Sequence, residues 1–295
     1  MTKPEHLHRI DSVKFVAVVM VVAIHASWYM YTSEQRSFWT YDVYRGALDI
    51  AVPIFLVLSG YFLARKDARG IVAWSAKVLM LYLVATGIYV VVDVVRVVTD
   101  RLFLDRGLRS GLRSVVKDWS MSTFVRGDLA EVHLWYLVAC AAAGLLLALM
   151  RSRGASAGTM LAVGGAVWVV SLSGFVDLSA LVVSGGFPRA LVFLALGVFI
   201  AERSIQGSWR HVAVMAGALA VYTLLRYLGA GSAKDLLILV AAYALGAYAV
   251  RAGTRPSVLS RLGGAGVHRL HPPHDVHLCD DPGRAVRGAR LRHDA

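Results

Sequence analysis

A chain of 295 residues with 57% hydrophobic and 17% charged side chains and a mean hydropathy of +0.60 is too apolar for an ordinary soluble protein and too regular in its apolar runs for a disordered one. Its formal net charge of +12 would suggest nucleic acid in a soluble chain. Beside membrane spans that charge is explained by anionic lipid and the cytoplasmic bias of Lys and Arg, so lipid and not nucleic acid is the expected partner.

Eight apolar runs follow in order: Val13 to Met30, Tyr44 to Ala64, Ile71 to Val95, Leu134 to Met150, Thr159 to Phe175, Ala190 to Ala201, Val212 to Leu228 and Leu236 to Val250. The fold class expected is therefore an all-α transmembrane bundle occupying residues 1–260. The first run lacks a small-residue cleavage site, which makes it a retained span and not a signal peptide. The sixth is short and must borrow from Phe187. Between the third and fourth runs, Arg96 to Glu131 is charged with interspersed apolar residues, a pattern for amphipathic helices on the membrane surface.

The first run holds the most informative residue. His25 stands in an apolar stretch, where an isolated polar group costs several kcal/mol, about 3 or more, and marks a functional site by default. Lys14 precedes it by eleven positions, which on a helix returns the side chain to within roughly 20° of its starting direction. The two therefore share a face, about 16 Å apart along the axis, with Arg9 and Asp11 just outside. In the second run, Pro53 and Gly60 loosen the helix at two points and Ser59 offers a hydroxyl, although small residues are also helix-packing devices. Arg65, Lys66, Arg69, Trp74, Lys77 and Tyr82 follow as basic and aromatic material at the inner face, suited to a phosphorylated ligand or to lipid headgroups. The fourth run is entered through Glu131, His133, Trp135 and Tyr136; an interfacial belt accounts for the aromatics but not for the histidine.

Short loops set the orientation. Arg65, Lys66 and Arg69, Arg151 and Arg153, Arg203 and Arg210, and Arg251 and Arg255 all fall on the side of Lys3, Arg9 and Lys14, which places the N-terminus in the cytoplasm. Residues 261–295 change character to a basic tail rich in His and Pro, expected to be disordered or the product of a shifted reading frame. His271, His274 and His277 invite a metal reading, but Pro272 and Pro273 forbid a helix through them and no carboxylate-plus-histidine motif is completed. The two cysteines, Cys140 and Cys279, complete neither a disulfide framework nor a metal site, so no metal is expected.

Three segments carry a resemblance: RIDSVKFVAVVMVVAIHAS from Arg9, VPIFLVLSGYFLARK from Val52, and HLWYL from His133. In this order they resemble the acyltransferase-3 family of integral-membrane O-acyltransferases, closest to its bacterial surface-polysaccharide acetyltransferase branch. Lys14 and His25 match the family's basic residue and histidine, Ser59, Gly60 and Tyr61 its Ser-Gly-aromatic motif, and His133, Trp135, Tyr136 and Leu137 its His-x-Trp-Tyr-Leu segment. The family usually has more spans, and carries arginines where this chain offers Lys77. The resemblance implies transfer of an acyl group, most often acetyl from acetyl-CoA, to a hydroxyl of a cell-surface saccharide or lipid-linked acceptor, by a multi-pass protein of the bacterial inner membrane. His25 would be the catalytic base, supported by Lys14 and Asp11; Arg9, Ser59, Tyr61, Arg65, Lys66 and Lys77 would hold the donor, and Glu131, His133, Trp135 and Tyr136 would lie on the acceptor side. A homo-oligomer stays open. A proton-coupled transporter is the alternative, since intramembrane histidines suit a proton relay equally well. No second copy of the Ser-Gly region occurs between Thr159 and Val250, as an internal repeat would require. A membrane domain of the kind fused to racemases is a third expectation, with no soluble enzymatic domain following here.

Overall fold

The computed structural model describes residues 8–31, 38–104, 134–173, 186–230 and 234–251, with parts of 111–129. Among these the chain is helical without a strand, as the eight apolar runs require. The helices are α1 (His8–Tyr31), α2 (Phe38–Leu48), α3 (Ala51–Leu63), α4 (Ala68–Leu104), α5 (Met121–Arg126), α6 (Trp135–Ser152), α7 (Ala157–Ser173), α8 (Gly186–Glu202), α9 (Trp209–Tyr227) and α10 (Asp235–Ala249). Three apolar segments, Val43–Leu63, Ala68–Asp100 and Trp135–Ser152, are long and apolar enough to cross a bilayer by themselves. The other described helices are shorter or carry charges, and pack around these.

Two elements depart from expectation. The second run breaks once, between α2 and α3 at Asp49 and Ile50, and not at Gly60. Pro53 is the cause. It has no N–H to offer the carbonyl of Asp49 four residues earlier, and its ring crowds that carbonyl. Hydrogen bonding stops on one side with Asp49 N–H to the Arg45 carbonyl and resumes on the other with Ile54 N–H to the Ile50 carbonyl, each 3.0 Å. The third run does not end at Val95 but continues as α4 to Leu104, over 37 residues or about 55 Å, far more than a hydrocarbon core of about 30 Å needs. No Gly or Pro stands between Ile88 and Leu104 to stop it, so the first part of the supposed surface segment is a rigid extension of a span. In the rest of the segment, described positions 111, 113, 115 and 116 are helical, and the short helix α5 follows, with Ser120 accepting from Thr123 N–H and Gly127 in the left-handed region at its end.

The core is built around α8, whose residues Ala190 to Val198 are buried without interruption. Its neighbours are α3, α6, α7 and α10. Close approach depends on glycine. A methyl group at Gly60 would collide with the carbonyl oxygen of Leu194, and one at Gly197 with that of Val57, so α3 and α8 cross backbone to backbone. α1 packs on α3 and α2, α9 on α10 and α2, and α4 on α6. At one end of the bundle, here the near end, α1 begins while α3, α6, α8 and α10 finish: Arg9 lies over Tyr248, and Arg151 bonds Glu202 at 2.7 Å. At the far end, Asp49 meets the last turns of α9.

Candidate active site at the near end of the bundle

An open cavity of about 360 Å³ lies where α3, α8 and α10 terminate. Tyr61, Ala64 and Arg65 line one side, Ile200 and Glu202 another, and the α8–α9 loop with Val250 closes it. The loop is held in place by Gly207, whose N–H donates to the Ala247 carbonyl at 2.7 Å and which lies too close to the backbone of Tyr248 to carry a Cβ. Ser204, in the left-handed region at φ 51°, turns the chain just after α8. Glu202 is neutralised by Arg151, so the charge the cavity presents is that of its cations.

The cations reach it through a ladder of rings. The Arg65 guanidinium lies 5.8 Å from the centre of Tyr61, Tyr61 meets Phe62 edge to face at 5.6 Å, and Lys14 Nζ sits 5.0 Å from the centre of Phe62. Arg9 stacks 4.9 Å over Tyr248, in the last turn of α10 just before Val250, and its Nη1 is buried with no hydrogen-bond partner. Five of the residues picked from the sequence, Arg9, Lys14, Ser59, Tyr61 and Arg65, thus gather at or beside one end of the bundle, with Asp11 partly buried one turn before Lys14. Lys66 is exposed on the loop beyond.

Others stand apart. Lys77 is exposed on α4, on the side turned away from α6 and remote from the cavity walls. Tyr82 is fully buried between α4 and α6, 5.8 Å from the Phe124 ring, and is a packing residue and not part of an inner-face patch. Trp135 is buried in the core at the head of α6, against Gly127, with Tyr136 partly buried beside it. Glu131 and His133 lie outside the described residues, as does the tail. α1 is unbroken from His8 to Tyr31, so Lys14 and His25 do share a face. His25 is exposed and lines neither cavity of the bundle described here. The second cavity, about 280 Å³, is an apolar cleft lined from α1 by Val13, Val16, Ala17 and Met20 and closed by Ile54 and Leu219. It lies about 120° round α1 from the Lys14 and His25 line.

The comparison with family models decides the class: the model described as an acyltransferase domain matches residues 7–265. The chain belongs to this acyltransferase family. A stretch of 142 residues is also 30% identical to an amino-acid racemase of Enterococcus faecalis, covering 47% of this chain and 18% of the racemase. The chain therefore spans under a fifth of that relative's length. No solved structure matches.

This acyltransferase domain has a second polar centre that the motif reading passed over. Asp49, at the helix break, accepts from Arg45 Nε at 3.0 Å, Arg226 Nη1 at 3.0 Å and Tyr222 OH at 2.8 Å. From the residue preceding Arg45 in α2, the Tyr44 hydroxyl donates to the Ala23 carbonyl at 3.1 Å, two residues before His25. The signal was present in the sequence: Asp49 and Arg226 are ionisable residues inside predicted spans, the same criterion that drew attention to His25.

Proposed function

We propose that this membrane protein is an O-acyltransferase that takes an acyl group, acetyl in the simplest case, from acyl-CoA at its near end and passes it to a hydroxyl of a cell-surface saccharide or lipid-linked acceptor. The observation that carries the reading is the cavity walled by Tyr61 and Arg65, with Lys14 linked to it through Phe62 and Arg9 beside it. Stacked cations at an open polar cavity suit the phosphates of a nucleotide-bearing donor. The near end would then face the cytoplasm of a bacterial inner membrane.

In this mechanism Arg65 and Arg9 hold the donor's phosphates. Its flexible arm runs along the Lys14 and His25 line, because the roughly 16 Å between those residues rules out one small group touching both. The His25 imidazole takes the proton of the acceptor hydroxyl as its oxygen attacks the thioester carbonyl; the C–O bond forms, the C–S bond breaks and the proton passes to the departing thiolate. Ser59 and Tyr61, which lie toward the near end with Lys14, hold the donor's arm by hydrogen bonds, and Lys14 adds its charge to those that face the phosphates, while the carbonyl itself is presented beside His25. The Tyr44 contact near His25 fixes the segment of α1 that carries the base.

The test is transfer of labelled acetyl from acetyl-CoA by membranes containing the full chain. His25→Ala should reduce transfer to background while the protein remains inserted and binds CoA. Undiminished transfer by that variant refutes the role of His25, and failure of wild type to bind CoA refutes the donor site.

A further inference from the structure

The bundle leaves a gap between α1 and α9. α1 packs on α3 and α2, α9 packs on α10 and α2, and the apolar cleft of about 280 Å³ lies between them. Val13, Val16, Ala17 and Met20 wall it from α1, Met215 and Leu219 from α9 and Leu245 from α10, with Ile50 and Ile54 behind. Ser12 is the one hydroxyl in this lining, and it is turned back onto the His8 carbonyl at 3.2 Å. Walls of this kind hold neither a sugar nor a peptide, whose polar groups would go unmet; hydrocarbon fills them without that penalty.

The depth of the cleft identifies the hydrocarbon. Measured along each helix from the near end, Leu245 lies about 6 Å in, Met215 about 9 Å, Leu219 about 15 Å and Met20 about 18 Å. The cleft therefore starts just below the headgroups and runs to the middle of a hydrocarbon core about 30 Å thick. There it is closed by the cluster of Ile50, Ala218 and Ala241, against which Met20 and Leu219 pack. A groove one leaflet deep matches one chain of a lipid in the near leaflet. In the mechanism proposed above the thioester is presented beside His25, about 7.5 Å beyond Met20 and on another face of α1, so the donor's own acyl chain would start past the closed end.

The mouth carries the charge that an anionic lipid needs. Arg9 precedes Ser12, Val13 and Val16 by three, four and seven residues, which puts it on the cleft face of α1, one turn nearer the membrane surface. Tyr248, on which Arg9 stacks, stands three residues beyond Leu245 on α10. The pair thus covers the mouth from both walls, and Nη1 of Arg9 is buried there with no hydrogen-bond partner. The acids of this end, among the described residues, lie elsewhere: Asp11 is 200° round α1 from Arg9 at about 100° per residue, Glu202 is held by Arg151, and Asp67 accepts from the Gly70 N–H.

We propose that this cleft is a binding site for an anionic phospholipid of the near leaflet, with one acyl chain seated between α1 and α9 and the phosphate at Arg9. Met20 and Met215, unbranched and adaptable, suit a flexible chain. The lipid closes the gap beside α1, the helix that carries Lys14 and His25. Arg9 is also near the donor's phosphates in the proposed mechanism, so the first measurements are made without acyl-CoA.

The experiment places the full chain in phosphatidylcholine nanodiscs with a trace of phosphatidylglycerol that carries a diazirine midway along one chain, and maps the photolabel by peptide mass spectrometry. Label should concentrate on Met20, Ile50 and Leu219. Added phosphatidylglycerol should displace it about tenfold more effectively than added phosphatidylcholine. Val16→Trp, at an exposed position on the rim, puts an indole into the cleft and should abolish this labelling. Arg9→Gln should keep the label and lose the preference for phosphatidylglycerol. Size exclusion and circular dichroism establish that both variants are folded. The proposal is overturned if the lipid-facing side of α4, at Met80, Leu83 and Ile88, is labelled as strongly as the cleft, which is ordinary annular contact; if Val16→Trp labels like the wild type; or if Arg9→Gln keeps the headgroup preference. In a second series, displacement by palmitoyl-CoA but not by phosphatidylglycerol gives the cleft to the donor's chain and likewise overturns it. A transferase-dead His25→Ala protein that still labels in the cleft leaves this site standing, and failure of the labelling leaves the acetyl-transfer assay untouched.

Discussion

A single side chain in this protein works through its neighbours' rings as much as through its own charge. Arg65 is exposed, and alone would be screened and mobile; stacked against Tyr61 at the cavity edge it holds a direction. Replacing Arg65 with Ala should therefore raise the KM for acyl-CoA about tenfold while changing kcat little, because the contact is made equally in ground and transition states. Steady-state kinetics at two salt concentrations checks this, and the wild-type KM should rise with salt more steeply than that of the variant. Tyr61→Leu removes the ring that orients Arg65 and should reproduce part of the KM effect with no change of charge. A variant that lost kcat alone would show that Arg65 acts on the reacting carbonyl and not on the phosphates.

Helices in this bundle are placed by two sequence devices with opposite effects, a proline that breaks and glycines that clasp. Pro53 opens the backbone at Asp49, and the largely buried carboxylate at that break ties α2 and α3 to α9 through Arg226 and Tyr222. Removing the acid leaves two arginines without their shared partner, so Asp49→Ala should destabilise the protein by about 3 kcal/mol or more, against about 1 kcal/mol for Tyr222→Phe. Thermal unfolding of the detergent-solubilised chain measures the order of these two effects, and equal losses would contradict it. At the other device, Gly60→Ala or Gly197→Ala drives a methyl into a carbonyl of the facing helix that cannot yield, and each should cost about 1–3 kcal/mol. The span order was readable from hydropathy because each run is apolar over most of a bilayer's width, and Lys14, Tyr61 and Arg65 were readable because spacing and charge place them at one end. Gly60 was read as a loosening point, yet a glycine's use depends on what lies opposite, and Leu194 is far away in sequence. Lys77 misled for a similar reason: residue type shows which end of a helix it occupies, but only packing shows that its face turns from α6. Asp49 and its partners are 173 and 177 residues apart, so no local pattern joins them.

Across the whole molecule, function as proposed requires that the two ends face different compartments. The short connections at the near end, residues 64–67, 153–156 and 203–208, carry Arg65, Lys66, Arg153 and Arg203. Short loops are where the positive-inside bias acts most strongly, so the near end should be cytoplasmic despite the arginines that the far end uses in its own network. Cysteine labelling tests this directly. Cys140 is buried and silent toward a membrane-impermeant maleimide, and Cys279 is first changed to Ser. A cysteine replacing exposed Leu228, just beyond α9 at the far end, should then be labelled in intact cells, whereas one replacing exposed Ser152, at the end of α6, should be labelled only after the membrane is opened. The reverse pattern would put Arg65 and its cavity outside the compartment where acyl-CoA is found. The donor site would then have no donor, and the transferase mechanism would fail on geometry alone, whatever His25 can do chemically.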